Sequence, residues 1–265
     1  MEFVRHYLIA LQFFTRIPVT GRLASWVGFS PAMLRASAAH FPGVGWLVGG
    51  LVATLSAWLL LHLPAHDLSA LVVAVLGTAA GVLLTGAFHE DGLADVADGL
   101  GGSLDRTRAL LIMKDSRVGA FGALALVLVI GSKVALLALI GAIDGATLCW
   151  GLFLAHVASR TFPLLLIRAM VHVGDDAGSK SKPLAEQISV ANLALAMTWL
   201  IAALVLVSWQ MPAQPLWWPM VGATLAWLWM WRWFHRRLQG FTGDCLGATQ
   251  QMCEVAFYLG LALAL

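Results

Sequence analysis

Seven stretches of about twenty mostly apolar residues divide this chain: Phe41–Leu63, Leu68–Ala87, Val118–Ile143, Thr147–Ala169, Val190–Gln210, Leu216–Phe234 and Ala248–Leu265. A helix rises about 1.5 Å per residue, so about twenty residues cross the ~30 Å hydrocarbon layer of a bilayer. A helix also satisfies its own backbone N–H and C=O groups, which is the condition for lying in lipid. The expected fold is all-α: a polytopic integral membrane helical bundle with about seven transmembrane helices. Composition agrees, because only 11% of residues are charged, against about 25% in soluble domains. A soluble fold of 265 residues could not hide a chain that is 60% hydrophobic. The last stretch is the weakest, since its purely apolar part starts at Val255 and Glu254 sits in its first turns. With no internal repeat and no separate soluble region, residues 1–265 read as one membrane-embedded domain.

Ahead of the first span, Phe3, Tyr7, Leu11 and Phe14 fall at i, i+4, i+8 and i+11. That spacing puts them on one helical face, the pattern of an amphipathic helix lying in the membrane interface. The apolar run Tyr7–Phe14 does not read as a cleavable signal peptide: it is short, contains Gln12, and leads into Arg16 and Pro18 rather than a small-residue cleavage site. Cys149, Cys245 and Cys253 are too scattered for a disulfide framework or a zinc site.

The net charge of +2 says little, but its placement says much. The loops after spans one, three and five carry no Lys or Arg. Arg5, Arg16, Arg22 and Arg35 precede the first span; Arg106, Arg108, Lys114 and Arg117 follow the second; Lys180 and Lys182 follow the fourth; Arg232, Arg236 and Arg237 end the sixth. By the positive-inside rule that face is cytoplasmic. Most acids share it, with Asp67 and Asp144 falling on the other side. Glycines at 43, 45, 49 and 50, and at 77, 81 and 86, predict close packing of the first two spans. Trp217, Trp218, Trp231 and Trp233 fit interfacial belts.

The strongest chemical signal is His89-Glu90-Asp91-Gly92-Leu93-Ala94-Asp95-Val96-Ala97-Asp98-Gly99, at the inner end of span two. On a continuing helix Asp91, Asp95 and Asp98 stand at i, i+4 and i+7 and share one face. Three carboxylates that close repel one another, and a bound divalent cation relieves the conflict. Oxygen ligands favour a hard cation, and Mg²⁺ takes one or two carboxylates together with substrate phosphates. Asp91, Asp95 and Asp98 are thus candidate metal ligands, with Glu90 a further candidate off their face. The second signal, Lys114-Asp115-Ser116-Arg117-Val118-Gly119-Ala120-Phe121-Gly122, opens span three. A helix start with glycines and cations suits an anion, and Lys114 and Arg117 are candidate phosphate contacts. Arg160 lies about nine residues inside span four, where a charge needs a cavity or a partner. Lys133, nearer the outer end of span three, is expected to snorkel outward. Asp244, within Phe241-Thr242-Gly243-Asp244-Cys245-Leu246-Gly247, reads equally as a ligand, a general base or a turn residue. The loop 172–189, with Lys180 and Lys182, reads as a solvated loop ahead of a closing lid.

These motifs resemble the cobalamin synthase family, the adenosylcobinamide-GDP ribazoletransferases. The resemblance is carried by Leu11-Gln12-Phe13-Phe14-Thr15-Arg16-Ile17-Pro18, by the segment His89–Gly99, by Met113–Gly122, by Ser159-Arg160 and by Thr242–Ala248, in that order along the chain. It implies a Mg²⁺-dependent phosphotransferase of the bacterial cell inner membrane, with its active site facing the cytoplasm. The implied donor is adenosylcobinamide-GDP and the acceptor α-ribazole or α-ribazole 5′-phosphate. The implied products are adenosylcobalamin, or its 5′-phosphate, and GMP. Combined with the residue chemistry, it suggests Glu90, Asp91, Asp95 and Asp98 on the metal, Lys114, Arg117 and Arg160 on phosphate, and Asp98 or Asp244 as base. The lipid bilayer is the expected surroundings, no nucleic-acid partner is expected, and a homo-oligomer stays open. A CDP-alcohol phosphotransferase would use similar chemistry, but neither Asp91-Gly92 nor Asp98-Gly99 is followed by that family's Ala-Arg. A transporter would place its ionisable groups near the midplane rather than at span ends.

Overall fold

The computed structural model describes residues 1–174 and 187–265, so Lys180 and Lys182 lie outside the described residues. Among the described residues the chain is helical, with no strand beyond one isolated bridge between His172 and Phe241. Glu2–Phe14 forms α1, followed by the short α2 (Gly21–Val27) and α3 (Pro31–Ser37). The apolar segments form α4 (Phe41–His62), α5 (Ser69–Thr85), α8 (Ala120–Ile143), α9 (Gly145–Ala169), α10 (Val190–Gln210), α11 (Trp217–Arg237) and α12 (Gly243–Ala262). Between α5 and α8 lie α6 (Phe88–Gly102) and α7 (Arg106–Met113).

All seven apolar segments are helices, and the chain is an all-α membrane bundle. By length and composition α4, α8, α9 and α10 can each cross a bilayer, and the α5–α6 pair makes a fifth candidate. The expected count of seven also includes α11 and α12. These are helices of 21 and 20 residues, but Arg232, Arg236 and Arg237 in the one, and Gln250, Gln251 and Glu254 in the other, lower their apolarity.

The central helix is α9. Its apolar window is 89% buried, against 17% for α8 and 22% for α10, whose outer faces are left to lipid. Helices can surround α9 because small residues let backbones approach. A Cβ at Gly45 would run into the His156 carbonyl, and one at Gly49 would meet Phe153 and His156, so α4 lies directly on α9. Gly50, by contrast, faces open space. Asp144 starts α9 by accepting from the amides of Ala146 and Thr147 and from the Thr147 hydroxyl. This accounts for one of the two acids on the sparsely charged face. The α1 helix forms as its periodicity predicts, but Leu11 and Phe14 are buried against the bundle while Phe3 stays half exposed.

One expectation is corrected here. The acidic segment does not continue the second span. Gly86 (φ 66°, ψ 35°) and Ala87 (φ 58°, ψ 20°) are both left-handed, and α6 leaves α5 at 90°. Glycine adopts that conformation at no steric cost, whereas Ala87 carries some strain. Seventeen residues of α5 rise about 26 Å, close to the ~30 Å hydrocarbon thickness, and the chain turns sharply at that point instead of extending the helix.

Candidate active site

The position of α6 is fixed at three places. At its C-terminal end, Arg237 of α11 donates to the carbonyls of Leu100 and Ser103, the carbonyls a helix end leaves without partners. Arg106 returns the contact by donating to the Leu238 carbonyl at 2.7 Å. Along its length, Gly92 sits against the backbone of Asp244, and Gly247 against that of His89, so α6 and α12 touch without side chains between them. At its far side, Asp98 reaches the start of α8. There it accepts from the Gly119 amide at 2.7 Å and from the Gly122 amide at 2.8 Å.

This last contact settles what sits at the α8 N-terminus. The sequence predicts an anion there, and the anion present is the chain's own Asp98 carboxylate. A Cβ at Gly119 or Gly122 would collide with the carboxylate oxygens, so these glycines make the seat. Gly122→Ala is expected to displace Asp98 and cost about 1–3 kcal/mol for a buried carboxylate left without its donors, read as a lowered midpoint of thermal unfolding in detergent. An unchanged midpoint would mean that the seat tolerates a side chain.

Of the predicted acids, Asp91 is exposed, Asp95 is half-buried and Asp98 is buried. Close packing at Gly92 brings Asp244 to the same side of α6. Asp95 feels all three: burial first, then Asp244, Asp91 and Asp98, raise its pKa from 3.8 to about 7. Burial and Asp91 also raise Asp244, against a lowering hydrogen bond from the Thr242 hydroxyl. Glu90 points away from this group, accepting from Gln251 at 3.0 Å in the interior. Among the described residues, no three His, Cys, Asp or Glu side chains form a ready-made metal cage. Of the three acids expected on one face, Asp91 and Asp95 lie within electrostatic reach of Asp244, while the Asp98 carboxylate is bonded to the start of α8; Glu90, expected off that face, turns inward. A Mg²⁺ that also binds substrate phosphates needs only one or two carboxylates, and the mutual repulsion at Asp95 is the strain such an ion relieves. The donor set fits.

The basic residues separate as well. Arg117 is exposed and pairs with Asp115 at 2.6 Å, holding that carboxyl down at about 2. Both line an open cleft with Asp98, Gly102, Gly119 and Phe121. Lys114, exposed, ends α7 just before this cleft. Arg160 is elsewhere. It is 2% exposed inside α9, bonded to the Nδ1 and carbonyl of His156 at 2.9 Å, with its guanidinium over the Phe41 ring. Glu254 and Glu90 are the carboxylates acting on it.

A second correction concerns Lys133. It does not snorkel outward; it is 4% exposed and pairs with Glu254 of α12 at 2.7 Å. Glu254 also accepts from Tyr258 and Gln250, and Gln250 donates to Ser159. Gln251 bonds both Gln250 and Glu90. A buried polar chain thus runs from α8 through α12 to the acidic helix. Sequence reasoning missed it, although two glutamines and a glutamate inside an apolar stretch were its signal.

An all-α membrane protein with carboxylates gathered at a helix–helix junction on its arginine-rich face is the class that fold and site define. The family model described as cobalamin-5-phosphate synthase matches residues 6–262. The chain is 64% identical to the adenosylcobinamide-GDP ribazoletransferase of Albidiferax ferrireducens, over 100% of this chain and 99% of the relative. It is 58% identical to the protein of that name from Polaromonas naphthalenivorans, over the whole of both chains, and 40% identical to one from Vibrio cholerae, over 96% and 91%. The chain belongs to the cobalamin-5-phosphate synthase family and is a transferase of cobalamin synthesis. No solved structure matches it. This membership sets aside both the CDP-alcohol phosphotransferase and the transporter.

Proposed function

We propose that the protein transfers the adenosylcobinamide-phosphate moiety of adenosylcobinamide-GDP to α-ribazole or α-ribazole 5′-phosphate, releasing GMP. It does so with Mg²⁺, at the cytoplasmic face of the bacterial inner membrane. The single observation that carries the reading is that near relatives bearing the name of this activity align along the entire chain. The gathering of Asp91, Asp95 and Asp244 supports the metal, and the arginine-rich face supports the orientation.

In this reading a ribose hydroxyl of the acceptor attacks the corrinoid-side phosphorus. A new P–O bond forms, and the bond to the bridging oxygen breaks so that GMP leaves with that oxygen. Bound Mg²⁺ would supply charge neutralisation for the pyrophosphate and a template for in-line displacement. Asp91 and Asp95 would hold it. Asp244, raised by its burial, is suited to take the hydroxyl proton. Arg117, which lines the cleft beside Asp98, and Lys114 just ahead of it would contact phosphate oxygens. Arg160 is too enclosed to meet substrate as the helices stand, so its contribution is to hold the polar interior beneath α6.

The test incubates membranes containing the protein with adenosylcobinamide-GDP, α-ribazole and Mg²⁺. GMP and a cobalamin product are expected, both abolished by excess EDTA. No product with either acceptor would overturn the reading.

A further inference from the structure

An open groove runs between α4, α5 and the segment that follows α1, with a volume of about 530 Å³. Leu51, Leu55, Ala80, Leu83 and Leu84 form its walls, and Arg16 stands at its mouth. Leu83 is 75% exposed and Leu51 45%, so the walls face whatever surrounds the bundle. In an apolar bundle of this kind that surrounding is lipid.

Arg16 is held in place. Its amide donates to the Leu84 carbonyl at 2.7 Å, at the end of α5. Its guanidinium lies across Gly86, where any Cβ would displace it. Among the described residues no carboxylate pairs with it, and the side chain is exposed. The depth is the telling quantity. Gly86 lies about 26 Å along α5 from the helix start, close to the edge of a ~30 Å hydrocarbon layer. A fixed cation thus stands at headgroup depth, with an apolar groove leading from it into the acyl region.

We propose that this groove binds one anionic phospholipid, its phosphate on Arg16 and an acyl chain along Leu51, Leu55, Ala80 and Leu83. A zwitterionic lipid would bring its own cation to the same place, so the unpaired guanidinium selects net negative charge. Because Arg16 rests on Gly86, the site adjoins the left-handed turn from which α6 departs.

The test uses the purified full chain in mild detergent, titrated with phosphatidylglycerol or phosphatidylcholine and read by native mass spectrometry. The wild type is expected to retain one phosphatidylglycerol at least about tenfold more tightly than phosphatidylcholine. Arg16→Gln should lose about tenfold in that binding, the scale of a charge-assisted hydrogen bond. Arg16→Lys should keep most of it, and Arg22→Gln, at an exposed arginine of α2, should keep all of it. Ala80→Leu, which narrows the groove, should weaken phosphatidylglycerol with Arg16 intact, and it decides the matter if Arg16→Gln does not survive purification. Equal retention of the two lipids, equal retention by wild type and Arg16→Gln, or displacement of the lipid by inorganic phosphate would each overturn the proposal.

Discussion

Glu254→Leu is expected to cost about 3–5 kcal/mol of stability, the range for a buried ion pair that loses one partner, and to leave little folded protein in detergent. Glu254 is 1% exposed and has four groups turned to it. Lys133 lies at 2.7 Å, Tyr258 at 3.0 Å, Gln250 at 2.9 Å and His156 at 4.0 Å. Removing the carboxylate strands an ammonium, a phenol and an amide in the buried interior. The cost is that of the orphaned partners, so it should shrink when they go too. Lys133→Met with Glu254→Leu is expected to recover most of the loss. Thermal unfolding of the single and double variants checks this. A single variant within 1 kcal/mol of wild type would mean that the network is not structural.

Asp95→Asn is expected to lower GMP release by about a hundredfold or more, the scale set by removing a group that stabilises transition-state charge, and to raise thermal stability. The two effects have one cause. Asp95 ionises near 7 rather than 3.8 because burial and three neighbouring carboxylates oppose its charge. A raised acid pKa means that the folded state disfavours the ionised form. Without metal, the penalty is absent below about pH 4, grows as pH rises, and is full above about pH 7. The amide should therefore melt higher than wild type at pH 8 and no higher at pH 4. Stability surrendered at a functional carboxylate is a common trade. An Asp95→Asn protein that melts lower at pH 8, or keeps wild-type turnover, would count against the assignment.

Much of this was legible in the residues. Apolar length gave every apolar segment as a helix, because backbone satisfaction in lipid leaves the chain no alternative, while the number that cross stands at four or five by length and composition. The acidic segment was read as helical, and it forms α6. The 90° turn was not read, since Gly86-Ala87 is also compatible with a straight apolar helix; at the joint the Arg16 side chain lies where a Cβ of residue 86 would stand. The partner of Asp98 was likewise hidden, as was that of Glu90, although Glu90 was read as lying off the aspartate face. Helical spacing places side chains around an axis, but it does not say which neighbouring helix faces each one. Lys133 shows the same limit from the other side. Snorkelling was expected because its partner lies 121 residues away in the sequence, and only tertiary packing joins the two. Asp244 was legible as an acid among glycines, and its company with Asp91 and Asp95 came from the close contact at Gly92.

The central claim is that carboxylates on α6 hold a divalent cation against the substrate. The most direct measurement titrates Mg²⁺ against GMP release at pH 8 for the wild type, Asp91→Asn and Glu90→Gln. The account predicts that Asp91→Asn needs more than about tenfold more Mg²⁺ for half-maximal rate, while Glu90→Gln keeps the wild-type requirement. A wild-type enzyme at full rate in EDTA, or an Asp91→Asn enzyme with an unaltered Mg²⁺ requirement, would contradict it.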